Sequence, residues 1–367
     1  SAQCDAAYGS YNTYKIGASV STGLLGRRWM LDMSYHHTGT DGYMAGTKAN
    51  SGSWLVGATL LARPDLIFRY HNVGNYEHTG KAWNGVDSGD LLNGNYGVKT
   101  GIYGYKDLYR VGLGRYNSLS QWYEQGDEGR FILHNYADPL RQGKDWRTTD
   151  NFVQDHNILS VNWKADDRWN LGGSLHYTYG SGYYDELRPG NKLSKFGLES
   201  FTGKDGNKVK KSDFIRKKGV DQHCYGLIFN ARRQSERLDL RLGLSAQNFN
   251  GWHYGYLSYI GNDELLNRLK TGAPEKFADG EGYMYYDSDA VKTDLSAFVK
   301  ATVLLAEGFS FFGDLQYRFV RYFTDGINDK FYENEDGTYT NQRLDINQKY
   351  NFFNPKGGFE YSRGRSR

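Results

Sequence analysis

The chain has 367 residues, of which 38% are hydrophobic, and its mean hydropathy is −0.73. No apolar run reaches the roughly 18 residues that a membrane-spanning helix needs, so a helical membrane protein is excluded. The net charge of +3 does not indicate a nucleic-acid partner, and the two cysteines, Cys4 and Cys224, form no spaced motif for a disulfide or metal framework.

Taken in chain order, the sequence predicts about eleven β-strands, mostly paired in hairpins. Apolar residues recur at every second position, as in the first hairpin, where Trp29, Leu31 and Met33 share one face and Asp32 and Ser34 share the other. The predicted hairpins have their strands at 8–24 and 28–38, 53–62 and 66–78, 152–163 and 168–180, 221–232 and 237–250, and 295–304 and 309–323, and a last strand follows at 347–362.

Residues 237–245 show the alternation most clearly, because leucine occupies every second position and the positions between carry mainly charge. A strand turns successive side chains to opposite faces. We therefore expect one face to contact lipid and the other to line a lumen. The expected lipid-facing residues are Leu238, Leu240, Leu242 and Leu244. The expected lumen-facing residues are Arg237, Asp239 and Arg241.

Short turns alternate along the chain with long connections. The longest are predicted near residues 79–151, 181–220, 251–294 and 324–348. Short turns on one side and long loops outside the cell are typical of outer-membrane barrels. The 31 tyrosines and 8 tryptophans suit membrane–water interfaces. The sequence thus predicts an all-β fold, a transmembrane antiparallel β-barrel in the bacterial outer membrane.

Two charged segments fall in predicted outer loops. Residues 204–218 are basic and residues 324–345 are acidic. The basic segment could bind anionic lipopolysaccharide, and the alternative for both segments is a solvated run of charge. Catalytic signatures, such as a nucleophile elbow or a His-Glu-x-x-His zinc helix, are missing from the sequence. We expect no catalytic site, no cofactor and no metal site.

Four residues are candidates for binding a ligand. His71, Tyr76 and His78 lie where a predicted strand leaves the membrane for the longest predicted loop, and Trp83 follows them at the start of that loop. Imidazole, phenol and indole groups converging on a pocket could contact an iron chelate or haem. The alternative is that these are ordinary polar and aromatic residues at the rim of a barrel.

Several short segments carry a resemblance to a known family. One reads Lys81-Ala82-Trp83-Asn84-Gly85-Val86, directly after a predicted strand. The others cover residues 150–156, 168–171, 175–184, 314–318 and 350–358. Together, and in this order, they resemble the TonB-dependent outer-membrane receptors of the Bacteroidetes. The segments run through nearly the whole chain, although no single one of them is specific.

The resemblance implies a barrel of about 22 strands that encloses an N-terminal plug, together with a short segment that binds TonB. About eleven strands make half of such a barrel, and an open half would leave unpaired backbone groups in lipid. We therefore expect residues 1–367 to be a partial TonB-dependent receptor β-barrel domain, roughly the first half of the barrel, in a longer protein that also carries the plug.

The function that the resemblance implies is active uptake of a scarce nutrient, powered through TonB and without covalent chemistry. The implied ligand is an iron chelate, haem or cobalamin. The implied partners are the TonB complex, outer-membrane lipid, lipopolysaccharide and a surface lipoprotein. Two other functions stay open, a passive porin or channel and a surface adhesin or structural barrel. A soluble carbohydrate-binding β-protein is a weaker alternative.

Overall fold

The computed structural model describes residues 1–86, 105–336 and 338–362. These residues are dominated by long β-strands. The strands are β1 Ala2–Gly9, β2 Thr13–Ser21, β3 Trp29–Thr40, β4 Ala49–Arg63, β5 Leu66–Gly80, β6 Gln121–Gln125, β7 Phe131–Asn135, β8 Thr149–Lys164, β9 Trp169–Lys192, β10 Phe201–Thr202, β11 Lys208–Val209, β12 Lys211–Gln234, β13 Leu238–Ile260, β14 Phe277–Ala278, β15 Gly282–Ala306, β16 Phe309–Glu333 and β17 Tyr339–Tyr361.

One antiparallel sheet contains most of these strands. Twelve of them follow one another across it in the order β1-β2-β3-β4-β5-β8-β9-β12-β13-β15-β16-β17, and β14 adds to β15. The pairs β6–β7 and β10–β11 are separate hairpins in the connections. Two α-helices, α1 (Tyr105–Arg110) and α2 (Asp263–Gly272), also lie in connections. Among the described residues, no helix has the length and apolar composition to cross a membrane.

The two ends of the sheet differ in their connections. At one end, called the turn end, the strands are joined by tight turns such as residues 64–65, 235–237 and 307–308. Gly308 has a φ of 69°, and an added Cβ there would lie 2.1 Å from the Ser362 carbonyl oxygen, so this turn requires glycine. At the other end, the loop end, connections such as residues 193–210 and 261–281 are longer.

The sequence pattern predicts one strand over residues 8–24, but the structure has two strands, β1 and β2, in this region. Tyr11 and Asn12 in the turn between them have φ values of 58° and 52°. Two successive residues with positive φ form the type of tight turn that best matches the twist of a hairpin. The ordered path of the main sheet therefore has twelve strands, one more than the alternation alone predicts.

The strands at the loop end are longer than the sequence predicts. β9, β12, β13, β15, β16 and β17 are each 23–25 residues long. They continue through much of the ranges 181–220, 251–294 and 324–348, which were predicted as loops. In these continuations the alternation of apolar and charged residues fades, while tyrosine, phenylalanine and threonine still favour extended backbone. The lost alternation hides the strands from a sequence pattern.

The register of the sheet separates its residues into an apolar face and a polar face. One row of paired residues on the apolar face runs across nine strands as Leu31, Ala58, Tyr70, Leu159, Leu175, Leu227, Ala246, Leu295 and Phe319. Residues next to this row, such as Asp32, Ser160 and Gln247, point to the polar face because side chains alternate along a strand.

Buried hydrophobic side chains collect at the loop end. The larger group, called the loop-end cluster, consists of Leu193, Phe196, Leu198, Phe214, Leu257, Ile260, Leu265, Tyr283, Tyr285, Tyr286 and Phe331. A smaller group, Val111, Leu113, Tyr116 and Phe131, lies in the connection between β5 and β8. Toward the turn end, large apolar side chains stay exposed on the apolar face, with Leu175 57% and Phe359 67% exposed. The apolar face there needs apolar surroundings outside the chain.

Candidate functional site

On the polar face near the turn end, Asp239 lies between two arginines. Its carboxylate accepts hydrogen bonds from Arg232 Nε and Nη2, at 3.0 and 2.9 Å, and from Arg241 Nη2, at 3.0 Å. Arg237 instead lies in the exposed turn before β13, and its carbonyl accepts a hydrogen bond from Leu304 N. Arg232 was missed at the sequence level because its place opposite Arg241 depends on the pairing of β12 with β13.

The four leucines of β13 form part of a continuous apolar strip. Their paired residues on β15 are all aliphatic. In order from Leu238 to Leu244, the pairs are Leu238–Val303, Leu240–Ala301, Leu242–Val299 and Leu244–Ala297. Leu244 is 47% exposed, so no other part of the described chain covers it. The strip has the composition of a surface that contacts hydrocarbon.

A band of tyrosines limits the apolar strip on the side of the loop end. Each tyrosine is paired with one residue of the next strand, and its hydroxyl bonds the polar residue that lies two positions beyond that one toward the loop end. The contacts are Tyr70 to Asn157 (2.6 Å), Tyr177 to His223 (2.7 Å), Tyr179 to Asp221 (2.8 Å) and Tyr317 to Asn351 (2.6 Å). A side chain with an apolar ring and a polar tip suits the boundary between hydrocarbon and water.

The structure does not bring the four predicted ligand residues together. His71 lies on the polar face of β5, paired with Gly57 and Ile158. Tyr76 lies on the apolar face, where its hydroxyl bonds the hydroxyl of Tyr35 and Nδ1 of His37, both at 2.8 Å.

The two other predicted ligand residues lie nearer the loop end. His78 is on the same face as Tyr76 and bonds Asn151. Trp83 lies beyond the end of β5 and packs edge-on against Tyr184, with ring centroids 5.0 Å apart. Tyr184, the ring against which Trp83 packs, lines the cleft described next.

A cleft of about 430 Å³ opens on the polar face at the loop end. Strands β8, β9, β12, β13 and β15 form its floor, and the last residues of β16 lie over one side. Its lining residues include Asp150, Phe152, Tyr184, Lys218, His253, Tyr286 and Asp329. Aromatic rings with a few charged groups between them are typical of a site that binds a small molecule.

The two lysines near the cleft are each paired with a carboxylate. Lys81 Nζ lies 2.5 Å from Asp150 Oδ2 and 3.8 Å from the centroid of the Trp83 ring. Lys218 forms an ion pair with Asp329, and its Nζ lies 5.7 and 5.9 Å from the ring centroids of Tyr184 and Tyr286. Ammonium groups over ring faces gain cation–π attraction. Each of the two ammonium groups is therefore neutralised by one carboxylate and held next to aromatic rings.

Two titratable side chains of the cleft stay neutral near pH 7. Partial burial and the neighbouring Lys218 ammonium lower the pKa of His253. Burial raises the pKa of the Tyr286 hydroxyl. The described part of the chain contains no group of three or more His, Cys, Asp or Glu side chains that could hold a metal ion. The cleft can thus offer ring faces, hydrogen bonds and the Lys218–Asp329 ion pair to a ligand.

The sequence had singled out the basic segment 204–218 and the acidic segment 324–345, and the cleft joins them. Lys218 is the last residue of the first segment, and Asp329 belongs to the second. Opposite charge in the two segments was the available signal. The pairing itself could not be predicted, because β13 and β15 lie between the strands that carry the two residues.

No protein-family model and no curated protein match the chain. Solved structures do match it, at low sequence identity. The open form of the ferric-catecholate import receptor Fiu from E. coli K12 is 10% identical with a TM-score of 0.56, over 99% of this chain and 52% of that one. The ferric yersiniabactin uptake receptor FyuA from Yersinia pestis is 12% identical with a TM-score of 0.52, over 97% of this chain and 43% of that one. The FpvAI–pyocin S2 complex is 12% identical with a TM-score of 0.59, over 99% of this chain and 41% of that one.

These similarities show the fold, which is that of a partial transmembrane β-barrel as found in TonB-dependent receptors. The predicted fold class is therefore confirmed. The chain spans about half the length of the structures that it matches, between 41% and 52% for the three named above.

Proposed function

We propose that this chain forms part of the barrel of a TonB-dependent receptor in the bacterial outer membrane. The receptor takes up a scarce nutrient and is a transporter, not an enzyme. Its ligand is an iron chelate, haem or cobalamin. Uptake is driven by the TonB complex, which acts on a plug inside the barrel. The likeness of segments such as residues 81–86 to receptors of the Bacteroidetes supports this type of receptor.

The observation that carries the proposal is the separation of an apolar from a polar face across twelve paired strands. A sheet with this separation suits a wall between lipid and an aqueous lumen. The matched structures add support, because Fiu is an import receptor for ferric catecholate and FyuA is an uptake receptor for ferric yersiniabactin. Both of those ligands are iron chelates.

The proposal gives each surface a partner. The turn end faces the periplasm and the loop end faces the outside of the cell, where a surface lipoprotein could cap it. Lipid contacts the leucine strip of β13, and lipopolysaccharide surrounds the strands beyond the tyrosine band. Asp239 and Arg241, together with Arg232, face the lumen and the plug. Arg237 lies at the periplasmic edge of the same wall.

The ligand is proposed to bind at the cleft, where Tyr184 supplies a ring face and Trp83 packs against that ring. His71 is a second candidate because it lies on the same polar face of the sheet. Tyr76 and His78 stay predictions from sequence alone. Their bonds to Tyr35 and Asn151 on the opposite face favour a role at the rim of the barrel.

Uptake measurements on the intact cell test the proposed function. Deletion of the gene should abolish uptake of one radiolabelled ligand among ferric siderophores, haem and cobalamin. The same ligand should stop entering when TonB is deleted or a protonophore collapses the driving force. Passage that continues without TonB would instead indicate a porin. Unchanged uptake of all three ligand classes, with loss of surface attachment, would indicate an adhesin.

A further inference from the structure

The last residues of β16, 327–333, reach across the polar face and are called the β16 end. Asp329 in this segment pairs with Lys218 of β12, although β13 and β15 separate the two strands in the sheet. Glu333 also crosses, and lies 3.1 Å from Lys192 Nζ at the end of β9. The β16 end, which is still paired with the start of β17, therefore folds over the cleft.

A break in the register allows this fold. The pairing of β16 with β17 shifts between Ile327 and Phe331. Gly326, just before the shift, has a φ of 112°, and an added Cβ would lie 2.5 Å from the Asp287 carbonyl oxygen. Glycine is needed at this bend, both for its conformation and for the close approach of the neighbouring strand.

An apolar anchor and two ion pairs hold the β16 end in place. Phe331 is 9% exposed and packs in the loop-end cluster near Tyr285. The Phe331 ring also covers Gly197, where a Cβ would lie 2.4 Å from it. The ion pairs are those of Asp329 and Glu333 described above. The β16 end is thus the tip of the β16–β17 hairpin, docked on the cleft by one buried ring and two ion pairs that lie beyond the register break.

The two lysines near the cleft differ in how firmly their partners are fixed. Lys81 pairs with Asp150, which lies on β8, a strand of the cleft floor. Lys218 pairs with Asp329, which belongs to the docked β16 end. The carboxylate of Asp150 is fixed by the pairing of β8 with β5 and β9, whereas that of Asp329 is carried by the β16 end, beyond the register break. Lys218 is therefore the cation whose partner can be exchanged.

Resting on the proposed function, we propose that Lys218 is the anion-binding residue of the cleft and that Asp329 occupies it in the empty protein. An anionic group of the imported ligand takes the place of Asp329 and frees the β16 end. The aromatic rings of Tyr184 and Tyr286 on either side of Lys218 then contact the body of the ligand. The ligand class is accordingly an anion that carries a ring or another flat apolar surface.

Distance measurements between two spin labels on the full-length protein in detergent test this proposal. The labels replace Lys195 and Tyr332, which are both exposed and flank the contact of the β16 end with the segment after β9, and the native cysteines become serine. The probe is sulfate, compared with chloride at equal ionic strength. We expect a short, narrow distance in chloride and a longer, broader one in sulfate.

Three variants make the test specific. Asp329→Asn should give the long distance without sulfate and should bind sulfate severalfold more tightly, because the competing carboxylate is gone. Lys218→Gln should also open the β16 end but should lose the response to sulfate. Lys217→Gln is the matched control. Lys217 is adjacent to Lys218 but lies on the opposite face of the sheet, where its Nζ is 2.5 Å from Glu281 Oε2. We expect this variant to open in sulfate as the wild-type protein does.

A short distance retained in Asp329→Asn would overturn the proposal. A sulfate response retained in Lys218→Gln would overturn it as well. Neither readout depends on transport, so the test is separate from that of the proposed function. A protein that opens in sulfate but imports nothing under TonB control would keep the anion site and overturn the proposed receptor function.

Discussion

The two halves of the long strands bury apolar side chains in opposite ways. In the half at the turn end, large apolar residues such as Leu175 and Leu244 stay exposed on one face of the sheet. In the half at the loop end, Phe214 and Leu257 of neighbouring strands are at most 1% exposed, inside the loop-end cluster. The same strands β12 and β13 run through both halves. Along each of these strands, the large apolar side chains are exposed near the turn end and buried near the loop end.

The two halves are therefore suited to different surroundings, water at the loop end and an apolar medium at the turn end. Residues at the loop end follow the rule of water-soluble proteins and hide apolar groups inside. Residues at the turn end place charge on the polar face, as in the contacts of Asp239 with Arg232 and Arg241, and leucine on the other face. The tyrosine band, with Tyr177 and Tyr317 bonded toward the loop end, marks where one regime gives way to the other.

The largest expected effect comes from truncating a buried ring in the water-facing half. Phe214→Ala should destabilise the loop-end cluster by about 3–5 kcal/mol, because the ring is completely buried. Hydrogen exchange should quicken in residues 193–198 and 327–333. Phe229→Ala is the control, since Phe229 lies on the same strand but is 42% exposed on the apolar face. If hydrogen exchange in these residues were equally fast in Phe214→Ala and Phe229→Ala, the two halves of the strands would not differ in how they bury apolar side chains.

A charge placed in the leucine strip should have the next largest effect. Leu242→Arg should lower the free energy of unfolding from lipid vesicles by roughly 2–4 kcal/mol, the cost of a basic side chain facing the middle of a membrane. Ser245→Arg, on the polar face of the same strand, should cost much less. Denaturant titrations of the refolded barrel measure both. If the two variants were equally stable, the leucines would not face lipid.

Removing one arginine from the polar face should have a smaller effect. Arg241→Leu leaves Asp239 paired with Arg232, so we expect a loss of about 1 kcal/mol or less in stability. If the polar face seats a plug, cells should nevertheless become more sensitive to a large antibiotic. Arg237→Leu in the exposed turn serves as the control. Unchanged leakage in Arg241→Leu would count against contact between this wall and a plug.

The smallest effect concerns pH at the cleft. The pKa of His253 is lowered by burial and by Lys218, so the imidazole is neutral at pH 7 and gains charge only at a lower pH than an ordinary imidazole does. A bound anion favours the charged form, and Lys218, Asp150 and Asp329 are the other charges of the cleft. Sulfate should therefore bind more tightly at pH 5.5 than at pH 8 by a small factor.

The sulfate ion does not change its charge over this range. His253→Gln should flatten the rise in sulfate affinity on acidification. Spin-label distances recorded along a sulfate titration at each pH give the affinities. If the affinity of the wild-type protein for sulfate did not rise on acidification, His253 would have no part in anion binding.

Sequence and structure agree where the surroundings of a strand are uniform. The leucine strip of β13 could be predicted as one face of a strand because apolar residues hold every second position over its whole length, and their paired residues on β15 are aliphatic. The continuations of β9 and β12 could not, since there both faces are mixed and the alternation is lost. The turn at Tyr11 and Asn12 was also hidden, because tyrosine rarely adopts positive φ and carries no signal for it.

The cleft shows a second limit on prediction from sequence. Trp83 could be singled out as an aromatic residue at the start of a long connection. Lys218 and Asp329 could be recognised only as members of two charged segments. Their contact depends on a register break in β16 and on the docking of Phe331. Such long-range placement follows from packing and leaves no local pattern in the sequence.

A spin-label scan along β13 tests most directly that the strands cross a membrane with the leucine strip facing lipid. Single labels at residues 238–256 of the full-length protein in bilayers would be scored for exposure to oxygen, which concentrates in lipid. High oxygen exposure should alternate from Leu238 to Ala246, with high values at the leucines, and should end by Trp252. Uniform values along the strand, or alternation that continues undiminished to Tyr256, would contradict the division of the sheet into two halves.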